Sequence, residues 1–155
     1  HFLNPNKYFG IEPNIKMLDS GKKILLDKET LRNKAPKFDY NETFDFSVFN
    51  ETFDFIVARS IWTHASKSQI EKMLDEFIKN SRPNGIFLTS YQKPYYTKDD
   101  YSGSSWIGKS NKSDESGMVF HRLSWIEEVC NKRNLKVKEL QIEVIDQIWL
   151  YISKL

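Results

Sequence analysis

Glu12 closes a short apolar run, Tyr8-Phe9-Gly10-Ile11-Glu12, and is followed at once by Pro13 and Asn14. A carboxylate at a strand tip has the lone pairs to accept hydrogen bonds from both hydroxyls of a ribose. The same acid at the start of a helix is favoured by the helix dipole alone, so position leaves both readings open. Two further apolar runs end in polar residues: Arg59-Ser60-Ile61-Trp62-Thr63-His64 and Ser90-Tyr91-Gln92. His64 and His121 carry the ring nitrogens suited to moving a proton near neutral pH. His64 is the better base by position; the alternative is a histidine that caps the next helix or is held in a loop. His121 follows a long polar segment and could reach the same place. No H-x-x-x-H, C-x-x-C or helically spaced His/carboxylate cluster occurs, so no metal site is expected.

These groups need elements to hold them. Lys7 to Glu12 reads as a short buried strand that Pro13 terminates, with Asn14 able to cap a helix running to about Asp27. Ile15, Leu18 and Leu25 supply its apolar spacing. Residues 28–52 are less regular. They contain an echo, Asn41-Glu-Thr-Phe-Asp-Phe46 and Asn50-Glu-Thr-Phe-Asp-Phe55, too few copies for a solenoid. Phe53 to Ala58 reads as a central strand covered on both faces. Ser66 and Gln69 form a capping box, and Ile70, Met73, Leu74, Phe77 and Ile78 follow the stripe of an amphipathic helix. That helix ends near Ser81-Arg82-Pro83-Asn84-Gly85, before the strand Ile86 to Tyr91.

Residues 92–120 are polar and rich in Tyr, Ser, Gly and Asp, as a binding loop or lid would be. Tyr91, Tyr95, Tyr96 and Trp106 could shape a pocket or simply anchor this loop. Ser124 and Glu127 form a second capping box, opening a helix through about Arg133. Leu135 to Leu140 alternates with period two, and Gln147 to Ile152 is a last strand. The gap Glu143 to Asp146 is short enough to demand antiparallel pairing of these two. Strands alternating with helices predict an α/β fold: a doubly wound, mostly parallel sheet with a reversed last strand.

The 155 residues suit one domain. Lys plus Arg is 23 against 21 for Asp plus Glu, a net charge of +2, which removes a charge-based case for nucleic acid or a membrane surface. No run approaches the ~18 apolar residues of a membrane span. The single cysteine, Cys130, favours a reducing, cytoplasmic setting and reads as a small core residue. Lys132-Arg133 and Lys22-Lys23 read as solvated faces. Three N-glycosylation sequons, at Asn41, Asn50 and Asn111, are expected by chance in so Asn- and Ser-rich a chain.

Tyr8-Phe9-Gly10-Ile11-Glu12-Pro13-Asn14 resembles the second-strand motif of class I S-adenosylmethionine-dependent methyltransferases. Phe53 to Ser60 resembles their fourth-strand motif, and Arg82-Pro83-Asn84-Gly85-Ile86-Phe87-Leu88 the following helix-turn-strand. The reversed last strand is similar to theirs, and the resemblance spans nearly the whole chain. It departs at the start: only His1 to Lys7 precede the second-strand motif, so the family's first strand and its Gly-rich loop are expected to be lacking. The expectation is therefore one domain over 1–155, incomplete at its N-terminus, with an exposed edge in mid-sheet and residues 92–120 on the acceptor side.

The resemblance implies S-adenosylmethionine as cofactor and methyl transfer to a small-molecule acceptor as activity. It implies that Glu12 holds the ribose hydroxyls, that Pro13 and Asn14 flank the adenosine, and that Asp45 and Phe46 meet the adenine. Arg59 and Ser60 would line the cofactor side of the cleft, with Trp62 and His64 toward the acceptor. Two alternatives stand beside it: a non-catalytic binding protein or fragment on the same fold, and a different doubly wound enzyme acting on a nucleotide sugar or dinucleotide.

Overall fold

The computed structural model describes residues 2–24, 26–96, 98–108, 117–142 and 147–155. They fall into two compact units, His1–Asn50 and Glu51–Leu155.

The first unit contains β1 (Phe9–Ile11), α1 (Ile15–Ile24), α2 (Lys28–Lys34), β2 (Lys37–Asp39) and a 3-10 turn at Ser47–Phe49. β1 and β2 pair in parallel, Phe9 opposite Lys37 and Ile11 opposite Asp39. Asn14 caps α1 as expected, its Oδ1 accepting from the Met17 N–H at 3.0 Å. α1 ends at Ile24, short of the expected Asp27, and the less regular stretch after it opens with a further helix, α2. Asp27 is itself a cap, accepting from the Thr30 N–H at 2.7 Å and so starting α2. Leu25 lies outside the described residues. No described residue of this unit is buried, and Ile15 and Met17 stand more than half exposed.

The second unit contains β3 (Phe53–Ala58), α3 (Lys67–Asn80), β4 (Ser81–Tyr91), α4 (Leu123–Asn131), β5 (Leu135–Leu140) and β6 (Ile148–Lys154). Its sheet runs β3-β4-β6-β5, with β3 and β4 parallel and β6 antiparallel to both neighbours. The reversed last strand is thus β6, inserted between β4 and β5. Glu143 to Asp146, which join the two final strands, lie outside the described residues. The fold is the predicted mostly parallel α/β arrangement.

Both capping-box bonds predicted for α3 form: the Ser66 hydroxyl accepts from Gln69 N–H, and Gln69 Oε1 accepts from Ser66 N–H. Ile70, Met73, Leu74 and Phe77 are buried along one stripe. Phe77 packs against Phe87 of β4 at 5.7 Å between ring centroids, and Phe87 meets Trp62 edge-on at 5.9 Å. Leu150 and Ile152 of β6 complete this face, opposite Thr89 and Phe87. The Pro-Gly turn is absorbed into β4. Pairing jumps from Phe53 opposite Ser81 to Phe55 opposite Ile86, so residues 82–85 bulge out. A side chain at Gly85 would lie 2.7 Å from Ser81 Cβ and 3.1 Å from the Phe53 carbonyl, so glycine is what lets the bulge close.

Three expectations are corrected. β3 is not a covered central strand: among the described residues it pairs only with β4, and Phe55 and Val57 are 64% and 61% exposed. Ser124 does not cap α4, because the helix already starts at Leu123 with Arg122 as N-cap. The Arg122 N–H is taken by Asp100 Oδ1 at 2.9 Å, an acceptor from a distant loop. Arg133 is not on a merely solvated face. Its guanidinium binds Asp75 at 2.6 Å and Glu71 at 2.9 Å, tying the end of α4 to α3.

Candidate functional site

In the first unit the site residues gather at the carboxyl ends of β1 and β2. Glu12 is half-buried; its N–H donates to the Asp39 carbonyl at 3.1 Å and its Oε1 accepts from Asn14 N–H at 2.8 Å. The other carboxylate oxygen has no hydrogen-bond partner among the described residues. Pro13 sits between these two and fixes the turn from strand to helix. Asp39, which the sequence reading passed over, ends β2 beside Glu12. Its Oδ1 accepts from the Asn41 backbone and side-chain N–H at 2.8 and 2.7 Å. Asn41 in turn holds Asp45 through both its amide atoms. Asp45 Oδ1 accepts from the Ser47 N–H and hydroxyl, and Phe46 caps the 3-10 turn. Asp45 and Phe46 are thus held in an ordered loop that follows β2 directly.

In the second unit the turn after β3 carries the groups. Arg59 is exposed. Ser60 has φ +56°, a left-handed conformation that costs a non-glycine residue of order 1 kcal/mol. The strain is held by a polar network at the ends of three elements. Ser60 N–H donates to Ser90 Oγ at 2.8 Å. Ser90 Oγ donates to Gln147 Oε1 at 2.6 Å, and Gln147 Nε2 donates to Ser60 Oγ at 2.7 Å. Gln147 was not singled out from sequence; its one signal is a polar residue heading an otherwise apolar strand.

His64 is half-buried, and its Nδ1 lies 2.7 Å from the Ile107 carbonyl. Its ring stacks on Trp106 at 5.5 Å. The long loop is stitched to this turn. Ile107 N–H donates to the His64 carbonyl at 2.9 Å, Val119 N–H to Thr63 at 2.8 Å, and His121 N–H to Gln92 at 2.9 Å. Tyr95 and Tyr96 stand exposed, whereas Tyr91 is fully buried with its hydroxyl donating to Glu139. Thr97 and residues 109–116 of the loop, including the Asn111 sequon, lie outside the described residues.

His121 is completely buried, and its Nε2–H donates to the Ala65 carbonyl at 3.0 Å. This geometry clamps the loop to the turn before α3. Burial pushes the imidazole below its ordinary pKa of 6.5; the carbonyls of Ala65 and Trp62 and the Asp100 carboxylate pull the other way and are outweighed. Asp100 binds Lys67 at 2.6 Å. Burial opposes its charge, but Lys67 and the Arg122 N–H overcome that and hold the carboxyl below its usual range.

The folded imidazole of His121 binds a proton more weakly than the unfolded one, so its contribution to stability is complete above pH 6.5 and is lost as pH falls below it. The contribution of Asp100 is lost only as pH falls through its still lower folded pKa. Urea midpoints are therefore expected to drop between pH 7.5 and pH 5. His121→Gln, which keeps a donor for Ala65, is expected to show a smaller drop; an equal drop would assign the loss elsewhere.

Cys130 is buried and its thiol pushed up to about 12, as befits an inert core residue. Among the described residues no group of His, Cys, Asp and Glu is arranged to hold a metal ion, and no helix is long and apolar enough to cross a membrane.

No protein-family model and no curated protein sequence matches the chain. Solved structures do. DesVI of Streptomyces venezuelae aligns over 95% of this chain and 74% of its own, with a TM-score of 0.66 and 12% identity. The glycopeptide N-methyltransferase MtfA aligns over 96% of this chain and 74% of its own, at a TM-score of 0.66 and 9% identity. DhpI in complex with SAH aligns over 94% of this chain at a TM-score of 0.65 and 11% identity, and the chain spans 65% of DhpI's length. The chain has the class I methyltransferase fold.

Proposed function

We propose that this chain, built on the class I methyltransferase fold, belongs to an enzyme that binds S-adenosylmethionine and methylates a small-molecule acceptor. The observation that carries the reading is Glu12: a half-buried carboxylate at the end of β1, with one oxygen engaged by Asn14 and the other without a hydrogen-bond partner among the described residues. That arrangement fits the ribose of an adenosine, whose hydroxyls are donors. DhpI, one of the proteins of this fold, is seen in complex with SAH.

When bound, S-adenosylmethionine supplies a methyl group already activated on a sulfonium. This chain's residues then bind and orient. Glu12 accepts from the ribose, with Pro13 and Asn14 shaping the strand-to-helix turn beside it. The Asn41-held loop presents Asp45 and Phe46 toward the adenine. Ser60, pinned by Ser90 and Gln147, lines the cofactor side with Arg59, and His64 takes up a proton from the acceptor. His121 fastens the acceptor-side loop, residues 92–120, to the turn that bears His64. The near-neutral net charge supports a small acceptor over nucleic acid, and the single inert thiol supports a cytoplasmic setting.

Isothermal titration of S-adenosylmethionine and S-adenosylhomocysteine into the protein tests the reading. Binding of both is expected. No binding by a folded protein overturns it, and binding without transfer to any acceptor converts it to the non-catalytic alternative.

A further inference from the structure

His64 has two ring nitrogens, and their surroundings differ. Nδ1 lies 2.7 Å from the Ile107 carbonyl oxygen. A carbonyl only accepts, so Nδ1 must carry the hydrogen, and in the neutral ring the lone pair is then on Nε2. Nε2 has no hydrogen-bond partner among the described residues. The ring plane is set independently by stacking on Trp106, 26° from parallel. Gly108 makes this approach possible. Its φ is +126°, and a Cβ there would lie 2.6 Å from His64 Nδ1 and 3.1 Å from Cε1. The loop also grips the backbone of His64, because Ile107 N–H donates to the His64 carbonyl at 2.9 Å. One dipeptide, Ile107-Gly108, thus fixes the backbone, the tautomer and the clearance of a single histidine.

We propose that Ile107 and Gly108 are positioning residues that lock His64 as the Nδ1–H tautomer, so that Nε2 is presented as the proton acceptor for a protic methyl acceptor, a hydroxyl or an ammonium. The inference rests on the proposed methyl transfer and narrows its acceptor class. A hydroxyl acceptor exchanges its O–H bond for an O–CH3 bond. The proton passes to His64 Nε2 and then to solvent, while the methyl donor, S-adenosylmethionine, leaves as the neutral thioether. An acceptor already bearing an unprotonated lone pair and no proton to lose, such as a thioether or tertiary amine, would have no use for the arrangement.

The test begins with the wild-type chain and no ligand. Long-range proton–nitrogen NMR of the 15N-labelled histidines, assigned with His64→Gln, reports which nitrogen is protonated in the neutral ring. The expected result is a protonated Nδ1 and a bare Nε2 for His64. A predominant Nε2–H form, or an even mixture, overturns the proposal without any variant being needed. Gly108→Ala is expected to abolish the tautomer preference while leaving S-adenosylmethionine affinity within about twofold, since the three atoms nearest to a Cβ there all belong to the His64 ring; retention of the Nδ1–H form in a folded variant overturns the role of Gly108. Failure of S-adenosylmethionine to bind wild type and variant alike would sink the proposed activity and leave the tautomer result standing, so the two failures are distinguishable.

Discussion

Phe87→Ala is expected to lower the unfolding free energy by about 3–5 kcal/mol, the range for truncating a fully buried aromatic. Phe87 has no exposed surface and stands in mid-strand on β4. It contacts Phe77 of α3 on one side and Trp62 of the turn after β3 on the other. Its loss therefore leaves a cavity between sheet, helix and the turn that carries Ser60 and His64. Domains hold only about 5–15 kcal/mol in all, so the variant should be poorly folded at 37 °C. Trp62→Phe is the informative comparison. Trp62 is equally buried, but its Nε1 has no hydrogen-bond partner among the described residues. Removing that unsatisfied donor offsets part of the lost packing, and a cost under about 1.5 kcal/mol is expected. Urea melts of both variants measure the difference; equal losses would mean that the indole N–H is satisfied in solution.

The elements most legible in the sequence are those whose stabilising bonds are local. α3 announces itself through Ser66 and Gln69, three residues apart, and a stripe from Ile70 to Phe77. The reversed strand β6 was legible from the shortness of the connection before it. α4 starts one residue before its Ser-x-x-Glu pattern promises, with Arg122 as N-cap and no side-chain cap bond; the Arg122 N–H itself goes to Asp100, 22 residues away. A Ser-x-x-Glu pattern alone does not decide where a helix starts. The repeated Asn-Glu-Thr-Phe-Asp-Phe segment makes the same point. Its first copy is a loop with Phe44 at φ +57°, and its second runs into β3 at Phe53. Identical residues adopt different structures because only the second copy finds a strand to pair with.

β3 shows a further limit. An apolar run such as Phe53 to Ala58 reports that a strand is suited to burial, and says nothing of how many neighbours it finds in a given chain. The candidate site was legible in outline, since strand ends are where such sheets bind ligands. Glu12, Ser60 and His64 all stand at such ends. Their partners were not, because they come from far along the chain: Ile107 is 43 residues from His64, and Gln147 is 87 from Ser60. No local pattern encodes contacts of that range.

Glu12→Ala is expected to weaken S-adenosylmethionine binding by about 1–3 kcal/mol, roughly 5- to 150-fold, the worth of a charged acceptor to two hydroxyl donors. The loss should appear in affinity and not in folding. Asn14 keeps its own cap on Met17 when the Glu12 carboxylate is gone, and Glu12 is only half-buried. Glu12→Gln should fall between, since its amide oxygen still accepts one hydrogen bond without charge. The assignment to the ribose is sharper than the affinity loss alone, because it fixes which atoms of the ligand matter. A 2′-deoxy analogue should bind the wild type more weakly than S-adenosylmethionine does, yet bind Glu12→Ala about as well as the parent ligand, since the partner of the missing hydroxyl is already absent. Additive losses in that cycle would place the Glu12 carboxylate away from the ribose and leave it as the acid of a helix start.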